Sequence, residues 1–146
     1  MQREATQKLI EYLSSHYYLN LATIGPDNSP VAHTVGYVSE GATVYFATDK
    51  KSRKARNIAA RPAVAYTVDE DYRDLNLIRG VQMQGRAELV RDPSTIEKIL
   101  GIMMSKYPQM KDMPANPDYV LFRIVPGEAY FVDNTAGFGY RDHLVF

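Results

Sequence analysis

The hydrophobic and polar pattern predicts a helix followed by short strands in the first third of the chain. Across residues 3–17, apolar positions such as Ala5, Leu9 and Leu13 recur every four residues, the spacing of an amphipathic helix that covers a sheet. Alternation of apolar and polar residues then begins, as expected for half-buried strands. The Gly, Pro, Asp and Asn residues of segment 25–30 predict a tight hairpin turn. The predicted strands are residues 19–24, 31–38 and 43–48.

The second half of the chain continues the strand pattern. A strand is predicted at 63–68, an acidic loop follows, and the strictest alternation of the whole chain begins at Val81. Two last strands are predicted at 119–125 and 128–133, separated by the turn-forming pair Pro126 and Gly127. The positions of the long strand that we expect to face a core are Val81, Met83, Ala87 and Leu89.

One further helix is predicted after this long strand. Asp92 is a favourable N-cap and Pro93 suits the first helical position. The apolar stripe that follows contains two methionines, and we interpret it as core packing rather than as a cofactor site. A proline-rich loop is predicted at 107–118, and the tail from 134 is rich in glycine and aromatic residues. The stripe consists of Ile96, Ile99, Leu100, Met103 and Met104.

These elements predict a mainly β protein of the α+β class, with helices flanking an antiparallel barrel or sandwich. A chain of 146 residues has the size of one domain, so we predict a single domain over residues 1–146. No internal repeat or low-complexity linker divides it.

A short helix after the third strand carries an unusual charge pattern. Ser52 is a suitable N-cap and Pro62 ends the helix, yet Arg53 and Lys54 occupy its first turn. Cations at that end oppose the helix dipole, which should cost a few tenths of a kcal/mol each. An anion held by the free N–H groups and these side chains would offset the cost. The alternative is a solvated basic face that comprises Lys50, Lys51, Arg53, Lys54, Arg56 and Arg61.

Composition narrows the function classes further. The formal net charge is zero, so no global field attracts nucleic acid or an anionic membrane, and anion binding would have to be local. The absence of cysteine excludes disulfides, thiolate catalysis and zinc–thiolate sites. The first residues have no apolar signal-peptide core and no segment is long enough to span a bilayer, so we expect a cytoplasmic protein without a membrane partner.

In order and spacing, four segments resemble the pyridoxamine 5'-phosphate oxidase-like family of FMN-binding split barrels. They read Leu-Ala-Thr-Ile-Gly from residue 21, Pro-Val-Ala-His-Thr-Val from residue 30, and Gln-Gly-Arg-Ala-Glu from residue 84. The fourth is Val-Tyr-Phe-Ala-Thr from residue 44, followed by Ser-Arg-Lys-Ala-Arg-Asn from residue 52. The resemblance covers most of the chain and implies an antiparallel split β-barrel. It also implies that the Ser-Arg-Lys turn grips the FMN phosphate, where the charge pattern had suggested an anion.

The same resemblance implies the rest of a cofactor site. The backbone from residue 33 onward and at residues 47–48 would line the flavin ring and ribityl chain, and glutamines of the long strand would reach the ring edge. Such proteins are usually homodimers with flavin at the interface, and the aromatic tail is similar to the partner's contribution. The implied FMN-binding residues are His33, Thr34, Val35, Gly36, Ala47, Thr48, Ser52, Arg53, Lys54, Asn57, Gln82, Gln84, Phe138, Tyr140 and Arg141.

Some of these residues have a structural alternative. A hydrogen-bonded core or interface role suits His33 as well as a ligand contact, and Asn57 could cap or pack the helix instead of touching phosphate. His16 is expected to stabilise a helix end, and His143 could either pack or contact a substrate. The spacing of the three histidines does not indicate a metal site. The sequence also shows no catalytic triad, so the catalytic residues stay unassigned.

The chain departs from the oxidase pattern at two places. Gly80 falls where that enzyme has a flavin-contacting glutamine, and the C-terminal arginine–histidine motif has no match, since Arg141-Asp142-His143 is only superficially similar. We therefore expect an FMN-dependent oxidoreductase that acts on a small molecule other than vitamin B6. Turnover with NADH or NADPH would support an enzyme over a carrier. Two alternatives stay open: a protein that stores or senses FMN, a deazaflavin or haem without turnover, and a cofactor-free relative.

Overall fold

In a computed structural model, which describes residues 2–146, the chain forms one curled antiparallel sheet with helices on both sides. The strand order is β2-β1-β5-β6-β7-β4-β3, with β8 paired to β7. This half-barrel confirms the predicted split-barrel fold and its mainly β class; only residue 1 lies outside the described part. The strands are β1 Tyr18–Ile24, β2 Pro30–Gly36, β3 Val38–Glu40, β4 Thr43–Asp49, β5 Ala63–Val68, β6 Arg79–Leu89, β7 Tyr119–Asp133 and β8 Arg141–Val145.

Helix α1 (Gln2–Ser15) covers the inner face of the sheet. Its Leu9 and Leu13 are fully buried in the main core with Phe46 and Phe131 of the strands. The helix was predicted to reach Tyr17 but ends at Ser15, because the Ser14 and Ser15 hydroxyls donate to carbonyl groups of the last turn. Tyr17 therefore lies outside the helix and is exposed.

Helix α3 (Pro93–Lys106) packs on the outer face of the sheet. A second, smaller core lies there, in which Ile99 and Met103 contact Tyr45 and Leu121. Part of the predicted apolar stripe is not core, since Met104 is 40% exposed. The loop after α3 contains a short 3₁₀ helix, Pro108–Asp112.

The third helix, α2 (Arg53–Ala60), connects β4 to β5. Its predicted N-cap is confirmed, since the Ser52 side chain accepts a hydrogen bond from the amide of Ala55. Ala55 and Ile58 are buried in the main core. This anchoring fixes the first turn of the helix against the ends of β1 and β4.

The prediction of two separate last strands is wrong, because residues 119–133 form the single strand β7. Gln84 pairs with Glu128 and Gly85 with Pro126, so Gly127 bulges out of the ladder instead of forming a turn. A side chain at residue 85 would clash with the carbonyl of Val125, which explains the glycine there.

Two strand predictions need a further correction. The return strand predicted over 31–38 ends at Gly36, and the chain bends at Tyr37 before β3 begins. Leu89 was expected to face the core but is 37% exposed, because β6 continues past the main core at that point. Among residues 2–146, no helix is both long and apolar enough to cross a bilayer.

Candidate functional site

The end of β4 and the start of α2 form a compact polar cluster. The Ser52 hydroxyl, predicted for the phosphate site, lies 3.2 Å from the hydroxyl of Thr48, which was predicted to line the flavin ring and ribityl chain. Thr48 is 6% exposed, so β4 holds its side chain firmly beneath the helix start. Two hydroxyl groups and the free amides of a helix N-terminus therefore point to one place.

Half of the basic run is engaged inside the chain. Lys51 pairs with Asp118 at 2.9 Å, and Lys50 lies 3.6 Å from the same carboxylate. The Arg61 guanidinium donates from Nε to the carbonyl of Ile24 at 2.8 Å. These cations have structural partners that tie the α2 region to neighbouring loops, so they differ from the fully solvated basic face of the alternative.

Arg53 and Lys54 differ from these neighbours. Within residues 2–146, neither side chain has an ion pair or a hydrogen bond, and Arg56 one turn later has none either. Both cations also act on His33. Burial first, and then the charges of Lys54 and Arg53, lower the pKa of its imidazole. The helix start thus carries two cations that pair with no carboxylate within residues 2–146, although the Asp49 carboxylate lies in the preceding turn, where it accepts a hydrogen bond from the amide of Lys51.

His33 belongs to a hydrogen-bonded row behind this charge. Its Nε2 lies 2.9 Å from the hydroxyl of Thr23, and the same hydroxyl accepts a bond of 3.0 Å from the amide of Asn57. Asn57 is 3% exposed, so its side chain positions its neighbours instead of standing free in the cluster. The structure therefore gives His33 and Asn57 internal partners beside the α2 start.

The backbone predicted to line the flavin ring lies in a more apolar environment than the α2 cluster. Val35 is buried, whereas Gly36 and Ala47 line an apolar cleft between the sheet and α3. A Cβ atom at residue 36 would lie 3.4 Å from the hydroxyl of Tyr107, so glycine permits close packing there. Gly36 and Ala47 thus line an apolar cleft that contains none of the residues of the polar cluster.

Three predicted residues, Thr34, Gln82 and Gln84, lie exposed on the outward face of the sheet. The two glutamines line an open groove of about 540 Å³, together with Glu128 and Tyr130 of β7. Small and polar side chains of β1 and β5 form its floor. Within one chain, these three residues therefore share a surface that is separate from the α2 cluster.

The tail is only partly a free segment. Residues 141–145 pair with β7 as strand β8, which the sequence analysis missed. The Arg141 guanidinium lies 5.2 Å from the centre of the Tyr130 ring. Phe138 and Tyr140 precede β8 in a loop and are 72% and 46% exposed, with no place in the α2 cluster of their own chain.

Two residues near the site escaped the sequence analysis. Thr23 joins His33 to Asn57, and its signal was a hydroxyl in the otherwise apolar inward row of β1. Tyr107 accepts a hydrogen bond of 3.0 Å from the amide of Tyr37 and donates one of 2.7 Å to its carbonyl. No local pattern marks this second role, because residues 70 positions apart meet only in the fold.

The donor set at the α2 start fits a phosphate group. It offers two cations, hydroxyl groups and helix amides, which together are the usual ligands of a phosphate monoester. No group of three histidine, aspartate or glutamate side chains within residues 2–146 is close enough to hold a metal ion. The arrangement can therefore bind an anionic group such as a phosphate.

Comparison with known families and sequences identifies relatives of this chain. A family model described as pyridoxamine 5'-phosphate oxidase matches residues 5–133. A UPF0306 protein of Cronobacter sakazakii is 33% identical over 105 residues, which cover 72% of this chain and 69% of that protein.

Two further matches carry functional names. A 5a,11a-dehydrotetracycline/5a,11a-dehydrooxytetracycline reductase of Streptomyces rimosus is 35% identical over 88 residues, which cover 57% of this chain and 62% of that protein. The solved structure of a heme binding protein from Mycobacterium smegmatis superposes with a TM-score of 0.80 at 17% identity, over 97% of this chain and 57% of that one. At that identity, the second match shows a shared fold alone.

Proposed function

This chain belongs to the pyridoxamine 5'-phosphate oxidase family, and on that basis we propose that it binds FMN and acts as an oxidoreductase on a small organic molecule. The observation that carries the proposal is the pair of cations at the start of α2, Arg53 and Lys54, which have no partner within residues 2–146. A protein without an anionic ligand gains nothing from positive charge at the positive end of a helix. The phosphate of FMN would supply the missing anion.

In this proposal, the α2 start binds the phosphate and the neighbouring strands orient the rest of the cofactor. Ser52 and the first helix amides donate hydrogen bonds, while Arg53 and Lys54 add charge-assisted ones. His33 lies behind them at the edge of the phosphate. Each charged contact should contribute about 1.5–3 kcal/mol, or roughly 10- to 100-fold in FMN affinity.

The ribityl chain and ring would then follow β2 towards Gly36, with Thr34, Val35 and Ala47 beside them. Backbone groups there can hold the ring, and the apolar surroundings exclude water from one of its faces. When bound, FMN supplies the redox chemistry itself, so no acid or base of the protein is obligatory.

We further propose a twofold homodimer. Gln82 and Gln84 lie on the outward face of the sheet, and Phe138 and Tyr140 are exposed in a loop, so none of them reaches the α2 start of its own chain. A second copy packed on this face would bring these side chains, with Arg141, to the ring edge of the partner's cofactor. Two equivalent sites would result.

Vitamin B6 is not the substrate that we propose. A side chain at Gly80 would meet the carbonyl of Val68 at 2.9 Å, so the flavin-contacting glutamine of the oxidase cannot be accommodated there. His143 is paired with Glu128 at 2.9 Å instead of standing free as a substrate ligand. The Streptomyces rimosus relative, which is named as a reductase, supports reduction of an organic substrate. We propose NADH or NADPH as the electron source.

A cofactor-binding protein without turnover is the second candidate, because a structural neighbour is named as a heme binding protein. Haem needs an axial ligand, and Nε2 of each of the three histidines already has a hydrogen-bond partner within residues 2–146. This favours a flavin over haem. A deazaflavin shares the phosphate and the ring, so it would use the same cluster.

The visible absorption spectrum tests the proposal. The purified protein is measured alone, after adding FMN and after adding haem, and a denatured aliquot identifies any released cofactor. We expect a flavin spectrum near one per chain and oxidation of NADH or NADPH when an acceptor is present. A flavin spectrum without turnover would favour the carrier function, and a protein that binds haem but not FMN would refute the proposal.

A further inference from the structure

A large apolar cleft lies between α3, the loop after it and the outer face of the sheet. Its volume is about 1080 Å³. Pockets for drug-sized molecules measure roughly 300–1000 Å³, so this cleft can hold more than a small metabolite. One wall carries Gly36 and Ala47, which the proposed function places beside the flavin ring. If the proposed function is correct, the cleft therefore borders the flavin ring at these two positions.

The lining has an unusual composition. Four of the six methionines of the chain contribute to it, and so do four tyrosines. Methionine adapts to irregular ligands, and tyrosine rings stack on flat apolar groups while offering a hydroxyl. Lys111 is the single charged side chain among the described lining residues. The methionines are Met103, Met104, Met110 and Met113, and the tyrosines are Tyr18, Tyr37, Tyr107 and Tyr119.

Part of this lining is left open to solvent. Met104 is 40% exposed, Met113 is 59% exposed and Tyr119 is 53% exposed, although all three border the cleft. Large apolar side chains gain free energy when a ligand covers them. The charged residues of a phosphate site are absent from this lining, in contrast to the α2 start.

The inner wall is held rigidly. The Tyr107 hydroxyl bonds both the amide and the carbonyl of Tyr37, at 3.0 and 2.7 Å. The same hydroxyl also contacts the carbonyl of Tyr17, so its single proton is shared between the two carbonyls, and this contact holds the α1–β1 connection in place. The bend between β2 and β3 is therefore preformed, and it presents Gly36 at a defined place in the cleft.

We propose that this cleft is the substrate site and that it takes flat, multi-ring and largely uncharged molecules. The inference rests on the proposed function, because the ring of FMN has to lie beside Gly36 and Ala47 for electrons to pass to such a molecule. The tyrosines stack on the rings of the substrate, the methionines fit its outline, and the rim lysine allows one anionic substituent. Phosphorylated, highly polar substrates find no matching charges here.

Binding of Nile red, an uncharged multi-ring dye, to the FMN-free protein tests the site. We expect saturable binding with enhanced fluorescence and one dye per chain. Met104→Lys and Met113→Lys each place a charge in the apolar cleft, so each should weaken dye binding at least tenfold. Leu75→Lys is the matched control, because Leu75 is 61% exposed and lies outside the cleft. It should leave the affinity unchanged, and circular dichroism melts confirm that all variants fold.

Competition and flavin fluorescence separate this inference from the proposed function. An excess of pyridoxal 5'-phosphate should not displace the dye, and dye binding to the FMN-loaded protein should change the flavin fluorescence. Equal losses in Leu75→Lys and Met104→Lys, displacement by pyridoxal 5'-phosphate, or an unchanged flavin signal would overturn the inference while FMN binding stands. Cleft-specific dye binding without any binding of FMN would instead refute the proposed function, and with it the assignment of the cleft to a substrate.

Discussion

The starts of α2 and α3 have the same capping geometry and opposite electrostatics. Ser52 caps α2 through a hydrogen bond from the Ala55 amide, and Asp92 caps α3 through one from the Thr95 amide. The Asp92 carboxylate also accepts bonds of 2.7 Å from the hydroxyls of Ser94 and Thr95. These bonds hold the pKa of Asp92 below its usual value, and the bond from the Thr95 hydroxyl has the largest effect.

This difference separates a structural helix start from a binding one. At α3, a carboxylate of the chain lies at the positive end of the helix. It accepts hydrogen bonds from the helix start and offsets the helix dipole, so no external anion is needed. At α2, a neutral cap is followed by two cations, Arg53 and Lys54, and no acidic residue occupies the first turn. The cap alone indicates where a helix begins. The charge that surrounds the cap indicates whether a ligand is expected.

The largest effect is expected when the α2 start is converted into an α3-like start. Ser52→Asp keeps an N-cap, so the helix should remain folded, but its carboxylate occupies the proposed phosphate position and neutralises the cations beside it. Loss of the Ser52 hydrogen bond, repulsion of the phosphate and partial neutralisation of the two cations should together weaken FMN binding by about 100-fold or more. Flavin fluorescence titration measures the loss, and a melting curve at or above that of the wild type shows an intact helix. Wild-type affinity in this variant would place the phosphate elsewhere.

Removal of one cation should have the next largest effect. Lys54→Ala deletes a charge-assisted contact and should lower FMN affinity by about tenfold or more. Arg91→Ala is the matched control, because Arg91 is an exposed cation that precedes the Asp92 cap of α3. It should leave FMN affinity unchanged. If both variants lose affinity equally, the effect is one of overall charge and not of a site.

A smaller effect concerns pH. Burial first, and then the Lys54 and Arg53 charges, hold the pKa of His33 below its usual value. The stability that neutral His33 contributes is present above the unfolded pKa of about 6.5 and is lost as the pH falls through the folded pKa. A bound phosphate would offset the two cations and raise this pKa, so FMN should bind somewhat more tightly as the pH falls, by less than about tenfold.

Nuclear magnetic resonance can follow this titration directly, because the chain has three histidines. The His33→Gln variant identifies the His33 signal. It should also remove the contribution of His33 to the pH dependence of FMN affinity, so that only the titration of the FMN phosphate remains. A His33 pKa that stays the same when the protein is saturated with FMN would show that phosphate does not approach these cations.

The smallest effect on ligand binding is expected at the α3 start. Asp92→Ala removes the cap, so the melting temperature should fall by about 2–4 °C, the shift typical of a lost cap in a chain of this size. FMN affinity should not change, because Asp92 belongs to no ligand site in this account. Calorimetry and FMN titration of the same sample make the check. A tenfold loss of FMN affinity would mean that the two helix starts are functionally alike.

Local signals account for what the sequence could predict. Ser52 and Pro62 bound α2 as predicted, and the strand predicted at 63–68 has those limits in the structure. Pro126 and Gly127 misled the strand prediction, because a pair that favours a turn locally is held in a bulge by distant pairing with β6. Strand β8 was missed since its start, Arg141-Asp142-His143, is polar and gains its order from β7.

The same distinction applies to the candidate site. The cations at the α2 start are adjacent in sequence, so their unusual placement could be recognised without a structure. The apolar cleft is assembled from β2, α3 and the following loop, and its walls meet through contacts such as that between Tyr107 and Tyr37. Met104 had the spacing of a core residue, and only the fold shows that it faces the cleft.

The most direct test of the central claim compares FMN with riboflavin, which has the same ring and ribityl chain but lacks the phosphate. Fluorescence titration of the wild-type protein gives both dissociation constants under one set of conditions. If the α2 start holds the phosphate, FMN should bind about 100-fold or more tightly than riboflavin, and Lys54→Ala should reduce that ratio. Equal affinities for the two flavins would contradict the claim and return Arg53 and Lys54 to an ordinary solvated face.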